Sequence, residues 1–436
     1  MSERLIFGSS RISSQPLNGF DLKSNHESLP FTFVYAQTLD EEKLVASLQK
    51  MLCINPYFSG RIEIHGKASG NIILNNAGVE FSVERVKKDI PKYGINSPLK
   101  NDLEYFGPMV RTAGFNDQTP LLKIKLFQFN DGSILTMSPS HKLTDGMGMF
   151  AFMKDWAAVA SGREPGFREH DRFTFPHNFE GAEKSLLNRL SEAASKNLEE
   201  HSLPEDVPVS KIIRVSQALI RKIMEEQKDS LKSGQWVSEQ DVLTAFLWKN
   251  LVDFNQIDKD EMIGLITAYN FRRLLSLPAN YVGNAVTNRL VDLLAGNAME
   301  MSVVGVARVL RESIESLTKE DCLNDLMFWD SLLSGKREKN FFLRSPVPNN
   351  RFLINNCSKF GWDRVDFGGE PIWFDMPAYP NLNRWVFILP SPLCNGSAFD
   401  CHVCLFEKEM ELLEEKLINE FSEEILVSPT CKPSVS

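Results

Sequence analysis

His141 closes the run "SILTMSPSH", and the residues after it read "KLTDG", with Asp145 four positions on. The chain holds only seven histidines, so one placed after a strand-like run and ahead of an Asp-Gly pair is a candidate for chemistry. An ordinary imidazole has a pKa of about 6.5 and can accept a proton near neutral pH. At a strand end it can project into a cleft and deprotonate an alcohol or amine as that group attacks an electrophile. Asp145 admits two readings. It can orient the imidazole, as the carboxylate does in a Ser-His-Asp arrangement, or it can turn away and hold the loop by pairing with a distant arginine. Spacing gives the first no support, because side chains four apart in a turn need not face one another. Gly146 and Gly148 let the backbone bend and start the next helix close in.

The elements that position His141 are legible around it. "PLLKIKLFQF" places Leu122, Ile124 and Leu126 on one face and Lys123 and Lys125 on the other, which predicts a strand. "NDG" at 130–132 predicts a hairpin turn, and "SILTMS" a return strand that delivers His141. "MGMFAFMKDWAAVASG" predicts a helix closed by Gly162. Upstream, "PFTFVYAQ" reads as a strand. "LDEEKLVASLQKML" reads as a helix capped by Asp40, with Leu44, Val45, Leu48 and Leu52 as its stripe, and "FSGRIEIHG" as another strand. "SEQDVLTAFLWKNL" predicts a helix with Ser238 as cap and Asp241 completing a capping box. A polar helix over 182–201 runs into a Pro-containing linker. Strands and helices mix in both halves, which meet near residue 200, so two α+β or α/β lobes are expected.

The bulk properties remove several function classes. At 436 residues two or three domains are expected on a scale of about 150 per domain. The formal net charge of −9 argues against a nucleic-acid or anionic-membrane surface, while leaving room for a local basic pocket. "MSERLIFGSSRISSQ" lacks the apolar centre of a signal peptide, and no run approaches the ~18 apolar residues of a membrane helix, so a cytoplasmic protein without membrane contact is expected. Seven scattered cysteines read as free thiols in a reducing compartment. "CHVC" at 401–404 lies in a strand-like run, where positions three apart face opposite sides, so no metal or redox pair is expected. His65 and His170 read as structural or surface residues, and His402 as part of that strand.

"HKLTDG" resembles the HxxxDG signature of the BAHD acyltransferases, a coenzyme A-dependent family related in fold to chloramphenicol acetyltransferase and to nonribosomal condensation domains. Further segments resemble family landmarks in the expected order: "LVASLQKMLCINPYFSGRI", "SEQDVLTAFLWK", "LPANYVGNAV", "VDFGGEPIW" and "NGSAFDCHVCLFEKEMELL". The resemblance implies a mixed α/β fold of two chloramphenicol acetyltransferase-like lobes, each a sheet flanked by helices, with a channel between them. It implies an N-terminal lobe over 1–185, a linker over 186–210 and a C-terminal lobe over 211–436, with a crossover segment near 366–390.

It further implies a monomeric acyltransferase of secondary metabolism with no permanently bound cofactor. Acyl-CoA would be the co-substrate and a small-molecule alcohol or amine the acceptor, with His141 as general base and no covalent acyl-enzyme. Asp145 would pair with Arg272, or with Arg273, and so hold His141 in place. Asn356 matches the oxyanion-donor segment, in which Cys357 stands where the family carries Trp. Asp366, Phe367 and Gly368 match the late motif in a structural role, while Gly369 and Glu370 depart from it. Ser238, Gly283, Asn284 and Lys359 fall on the CoA side, with Lys232, Lys249 and Arg273 as further basic candidates. Two other readings are a carrier-protein-dependent condensation-like enzyme and an inactive metabolite-binding relative. Condensation domains carry a second His just before the base, where this chain has Ser140.

Overall fold

The computed structural model describes residues 2–9, 13–22, 30–65, 69–96, 105, 119–166, 168–169, 171–172, 208–333, 350–376, 383–391 and 397–429. The first half contributes strands β1 (Ser2–Ile6), β2 (Ser14–Pro16), β3 (Phe31–Tyr35), β4 (Arg61–His65), β5 (Ser69–Ile73), β6 (Val79–Arg85), β7 (Leu122–Gln128) and β8 (Ser133–Pro139). Its helices are α1 (Gly19–Leu22), α2 (Glu41–Ile54) and α3 (Gly146–Ala160). The second half adds β9 (Val209–Ser216), α4 (Gln217–Glu226), α5 (Glu239–Leu251), β10 (Met262–Asn270), β11 (Val286–Leu294), α6 (Ala295–Glu300), α7 (Val303–Glu315) and α8 (Lys319–Leu333). Then follow β12 (Arg351–Asn356), β13 (Trp373–Asp375), β14 (Trp385–Pro390), β15 (Ala398–Leu405), α9 (Glu407–Phe421) and β16 (Ile425–Val427).

Two large sheets result, one in the order β1-β6-β7-β8-β3-β13 and the other β11-β10-β12-β14-β15-β9-β16, beside a small sheet β2-β5-β4. Both large sheets are mixed: β6–β7, β10–β12 and β12–β14 are parallel and their other pairs antiparallel. This is the two-lobed mixed α/β architecture expected from the sequence. The chain also crosses between the sheets late in the sequence. After β12 in the second sheet the chain returns to the first, where β13 pairs with β3, and then re-enters the second as β14. Of the expected linker, 186–207 lies outside the described residues, as do the polar helix over 182–201 and His170, whereas Val209 and Ser210 already belong to β9.

Local sequence accounts for the elements near the site. Leu122, Ile124 and Leu126 of β7 are buried, while Lys123 and Lys125 pair with Glu80 and Glu84 of β6 at 3.1 and 2.9 Å. Asp40 caps α2, its carboxylate accepting from the Glu42 and Lys43 amides at 2.9 and 3.1 Å. Trp156 of α3 donates its indole N–H to Ser47 Oγ of α2 at 3.0 Å, which fixes how the two helices pack. Gly162, at φ +74°, takes the left-handed conformation just past the end of α3. Between the lobes, Phe387 and Leu389 of β14 join the apolar core of the first lobe, and Ile212 of β9 packs with Val34 and Trp373. His402 of β15 and Asp375 of β13 are both buried at this seam, Nδ1 lying 3.8 Å from Oδ1.

Candidate active site

The β7–β8 hairpin continues one residue past β8, with Ser140 N donating to Leu121 O at 2.7 Å. A tight turn follows, closed by Leu143 N to Ser140 O at 3.0 Å, and His141 stands on it half-buried. The turn ends at Asp145, which is buried and caps α3 by accepting from Gly148 N at 3.0 Å. The Oδ1 of the same carboxylate also accepts from Arg272 Nη2 at 3.0 Å, and its Oδ2 accepts from the Ala285 amide at 3.1 Å while lying 2.9 Å from that guanidinium nitrogen. Arg272 follows β10, so this ion pair joins the two lobes. Its remaining N–H groups donate to Tyr281 O at 2.9 Å, Gly283 O at 2.9 Å and Asn270 Oδ1 at 3.2 Å. Gly148 is required by closeness: an added Cβ would overlap Thr144 Oγ1 and the Val282 carbonyl. Arg273, the alternative partner, is exposed.

The residues expected on the CoA side do not share one location. Asn284 is buried beneath the His141 turn. Its amide donates to His141 O at 2.8 Å and to Asp21 Oδ1 at 2.9 Å. Gly283 lies against Arg172 and Tyr281, with no room for a side chain. Ser238 caps α5 and accepts from Arg311 Nη2 at 3.0 Å. Lys359 is exposed, as is Lys232. Lys249 donates to the carbonyls of Ala298 and Met299 at the end of α6, at 2.8 and 3.3 Å, and to that of Met301.

Asn356 ends β12. Its Oδ1 accepts from Ser358 N at 3.1 Å and Ser358 Oγ at 2.6 Å, which fixes the amide's orientation. Its Nδ2 is buried without a partner among the described residues. Cys357 is buried, and burial pushes its thiol up to about 12, so it stays protonated and unreactive. In the late motif, Asp366 accepts from the Gly368 and Gly369 amides at 2.8 and 2.7 Å, and Gly368 has φ +102°. Phe367 is buried edge-on to Trp156 at 4.8 Å. A surface cleft of about 630 Å³ beside Ile90, Tyr93 and Asp131 contains none of these residues. Among the described residues no group of His, Cys, Asp or Glu is arranged to hold a metal, and no helix is long and apolar enough to cross a membrane.

Sequence reasoning passed over a second charged group under the turn. Asp21 of α1 and Arg172 form an ion pair at 3.2 Å with essentially no solvent exposure, and Arg172 also donates to Leu143 O. Lys142, next to His141, is buried and donates to Leu22 O at 3.1 Å. Burial pulls its amine down to about 8, against the Asp21 charge, which raises it. An unfolded lysine titrates near 10.4, so between about 8 and 10.4 the unfolded chain binds more protons and stability rises with pH. Below about 8 the buried ammonium costs stability. Lys142→Met is therefore expected to gain most over the wild type at neutral pH. Urea melts should show that lead shrinking as pH is raised toward about 10; a lead constant with pH would refute it.

The comparisons with known proteins bear on this geometry. The Transferase family model matches residues 1–419. The chain belongs to this family, the BAHD acyltransferases. As a BAHD acyltransferase it is an enzyme that transfers acyl groups. It is 25% identical to agmatine coumaroyltransferase-1 of Hordeum vulgare over 386 residues, covering 84% of each chain. Its fold is similar to that of vinorine synthase, with a TM-score of 0.72 at 18% identity, covering 96% of this chain and 97% of the other. It is also similar to F. sporotrichioides TRI101, solved with coenzyme A and T-2, with a TM-score of 0.68 at 14% identity over 95% and 99% of the two chains.

Proposed function

We propose that this BAHD acyltransferase moves an acyl group from a CoA thioester to a hydroxyl or amine of a small-molecule acceptor, with His141 as general base. The observation that carries the reading is the His141 turn itself: a half-exposed imidazole from one lobe, on a loop held from the other lobe through Asp145 and Arg272. In the proposed reaction His141 takes the acceptor proton as the nucleophile attacks the thioester carbonyl. The tetrahedral intermediate then collapses, the C–S bond breaks and the imidazolium returns the proton to the CoA thiolate. No acyl-enzyme forms, which agrees with the inert Cys357 thiol. Asp145 and Arg272 serve to hold the turn rather than to relay a proton. In this reading lobes over 1–185 and 211–436, with a crossover near 366–390, flank a channel with the base at its middle.

Asn356 is the proposed oxyanion donor, since its buried N–H₂ has no partner among the described residues and its Oδ1 is held by Ser358. Asn356→Ala should lower kcat by about 10²–10³-fold with little change in KM, as loss of one preorganised donor does elsewhere. Steady-state kinetics check this, and a kcat within threefold of wild type would remove Asn356 from the mechanism. Asp366, Phe367 and Gly368 shape the lobe without touching the reacting atoms. Of the four residues expected toward CoA, Lys359 has an exposed ammonium to offer a phosphate, whereas Ser238, Gly283 and Asn284 are engaged within the protein. A cytoplasmic setting and a monomeric state belong to this reading. The test is thiol release from acetyl-CoA and coumaroyl-CoA with agmatine and a panel of alcohols, compared between wild type and His141→Ala.

A further inference from the structure

Two buried carboxylates hold the His141 turn, one at each end. Asp145 holds its far end against the second lobe. The near end depends on Asp21, which is fully buried on α1. Asp21 Oδ1 accepts from Asn284 Nδ2 at 2.9 Å, and the other proton of that amide goes to His141 O at 2.8 Å. Asp21 Oδ2 lies 3.2 Å from Arg172 Nε, and Arg172 Nη2 donates to Leu143 O. Lys142 donates to Leu22 O, the carbonyl next to Asp21. The backbone on either side of Lys142 is thus reached through groups bound to one carboxylate, and the side chain between is tied to the same short helix.

The chemistry of Asn284 explains why a carboxylate is needed. An amide can turn by 180° and exchange its donor for its acceptor. A carboxylate only accepts, so it forces the N–H₂ side toward itself, and the second N–H then meets the His141 carbonyl. With an amide at position 21 that part of the selection is lost, because position 21 can then pair with either orientation of Asn284. The reversed one would set Asn284 Oδ1 against His141 O, two acceptors face to face. We propose that Asp21 is a positioning residue for the transfer reaction: through Asn284 and Arg172 it fixes the backbone that carries His141 and hence where the imidazole points. This rests on His141 being the base.

The test uses Asp21→Asn, Asn284→Ala and the double variant in the full chain. Asn284→Ala leaves the Asp21–Arg172 pair in place, so it decides the matter if Asp21→Asn does not fold. Misplacing a reacting group by about 1 Å costs on the order of 10²-fold. Each single variant should therefore lose about 10–100-fold in kcat for coumaroyl-CoA with agmatine or an alcohol, with KM within about threefold. The double variant should be no worse than the poorer single one, since both changes break the same link. Independently of any substrate, the ¹³Cε1–¹H signal of His141, assigned by its loss in His141→Ala, should shift or broaden in each variant. A folded variant with unchanged kcat and an unmoved His141 signal overturns the inference, as would additive losses or a loss confined to KM. If His141→Ala keeps its activity, the base assignment fails instead, and the His141 signal still reports whether Asp21 sets the ring.

Discussion

His141→Ala is expected to abolish nearly all acyl transfer while leaving the protein folded. A positioned general base contributes about 10²–10⁴-fold, and a proton must leave the acceptor as it attacks the thioester. The thiol nearest in sequence to the oxyanion segment, Cys357, is buried and protonated, so it offers no covalent bypass. His141 is half-buried on a turn anchored through its backbone carbonyl and its neighbouring residues, so truncating the ring should leave the fold intact. Thiol release under saturating acyl-CoA should fall by at least 10²-fold, with the melting temperature close to that of the wild type. Added free imidazole should restore part of the rate by occupying the vacated volume. Retention of most of the activity would refute His141 as the base and leave the acyltransferase assignment to rest on family alone.

Arg272→Ala should produce the largest loss of stability. Arg272 and Asp145 are both almost fully buried and meet at 2.9 Å. Removing the guanidinium leaves a desolvated carboxylate with amide donors and no counter-charge. Breaking one side of such a pair typically costs about 3–5 kcal/mol. The carbonyls of Tyr281 and Gly283 lose a donor as well, so the segment that carries Asn284 loosens with it. Denaturant melts at neutral pH should show that destabilisation, and kcat should fall in the fraction that remains folded. The sharper check is Asp145→Asn added to Arg272→Ala. A neutral amide needs no counter-charge, so the double variant should be more stable than Arg272→Ala alone. If it is not, uncompensated charge is not the cause.

Much of this molecule follows from residues within a few positions of one another. The alternation of β7 and the "NDG" turn set the hairpin that ends at His141, with register pairs from Gln128–Ser133 to Leu122–Pro139. Asp40 on α2 and the Ser238–Asp241 box on α5 are caps that act over two or three residues, and so are readable as short words. The ordered motifs together, "HKLTDG" among them, were enough to identify the family. The residues around Asp145 leave a distant arginine open as its partner, and only the resemblance singles out Arg272.

What the sequence by itself determined, then, was the set of elements, the two-lobed class and the family, because helix and strand periodicity, turns and caps are local. Tertiary structure alone decided that the crossover strand β13 pairs with β3, that Asn284 lies under His141 O, and that Asp21 and Arg172 pair out of water. Asp21 and Asn284 are 263 residues apart, and nothing near either one records the other. A buried charge has no local signature, because the cost of desolvating it and the partner that offsets that cost exist only once distant segments have packed together.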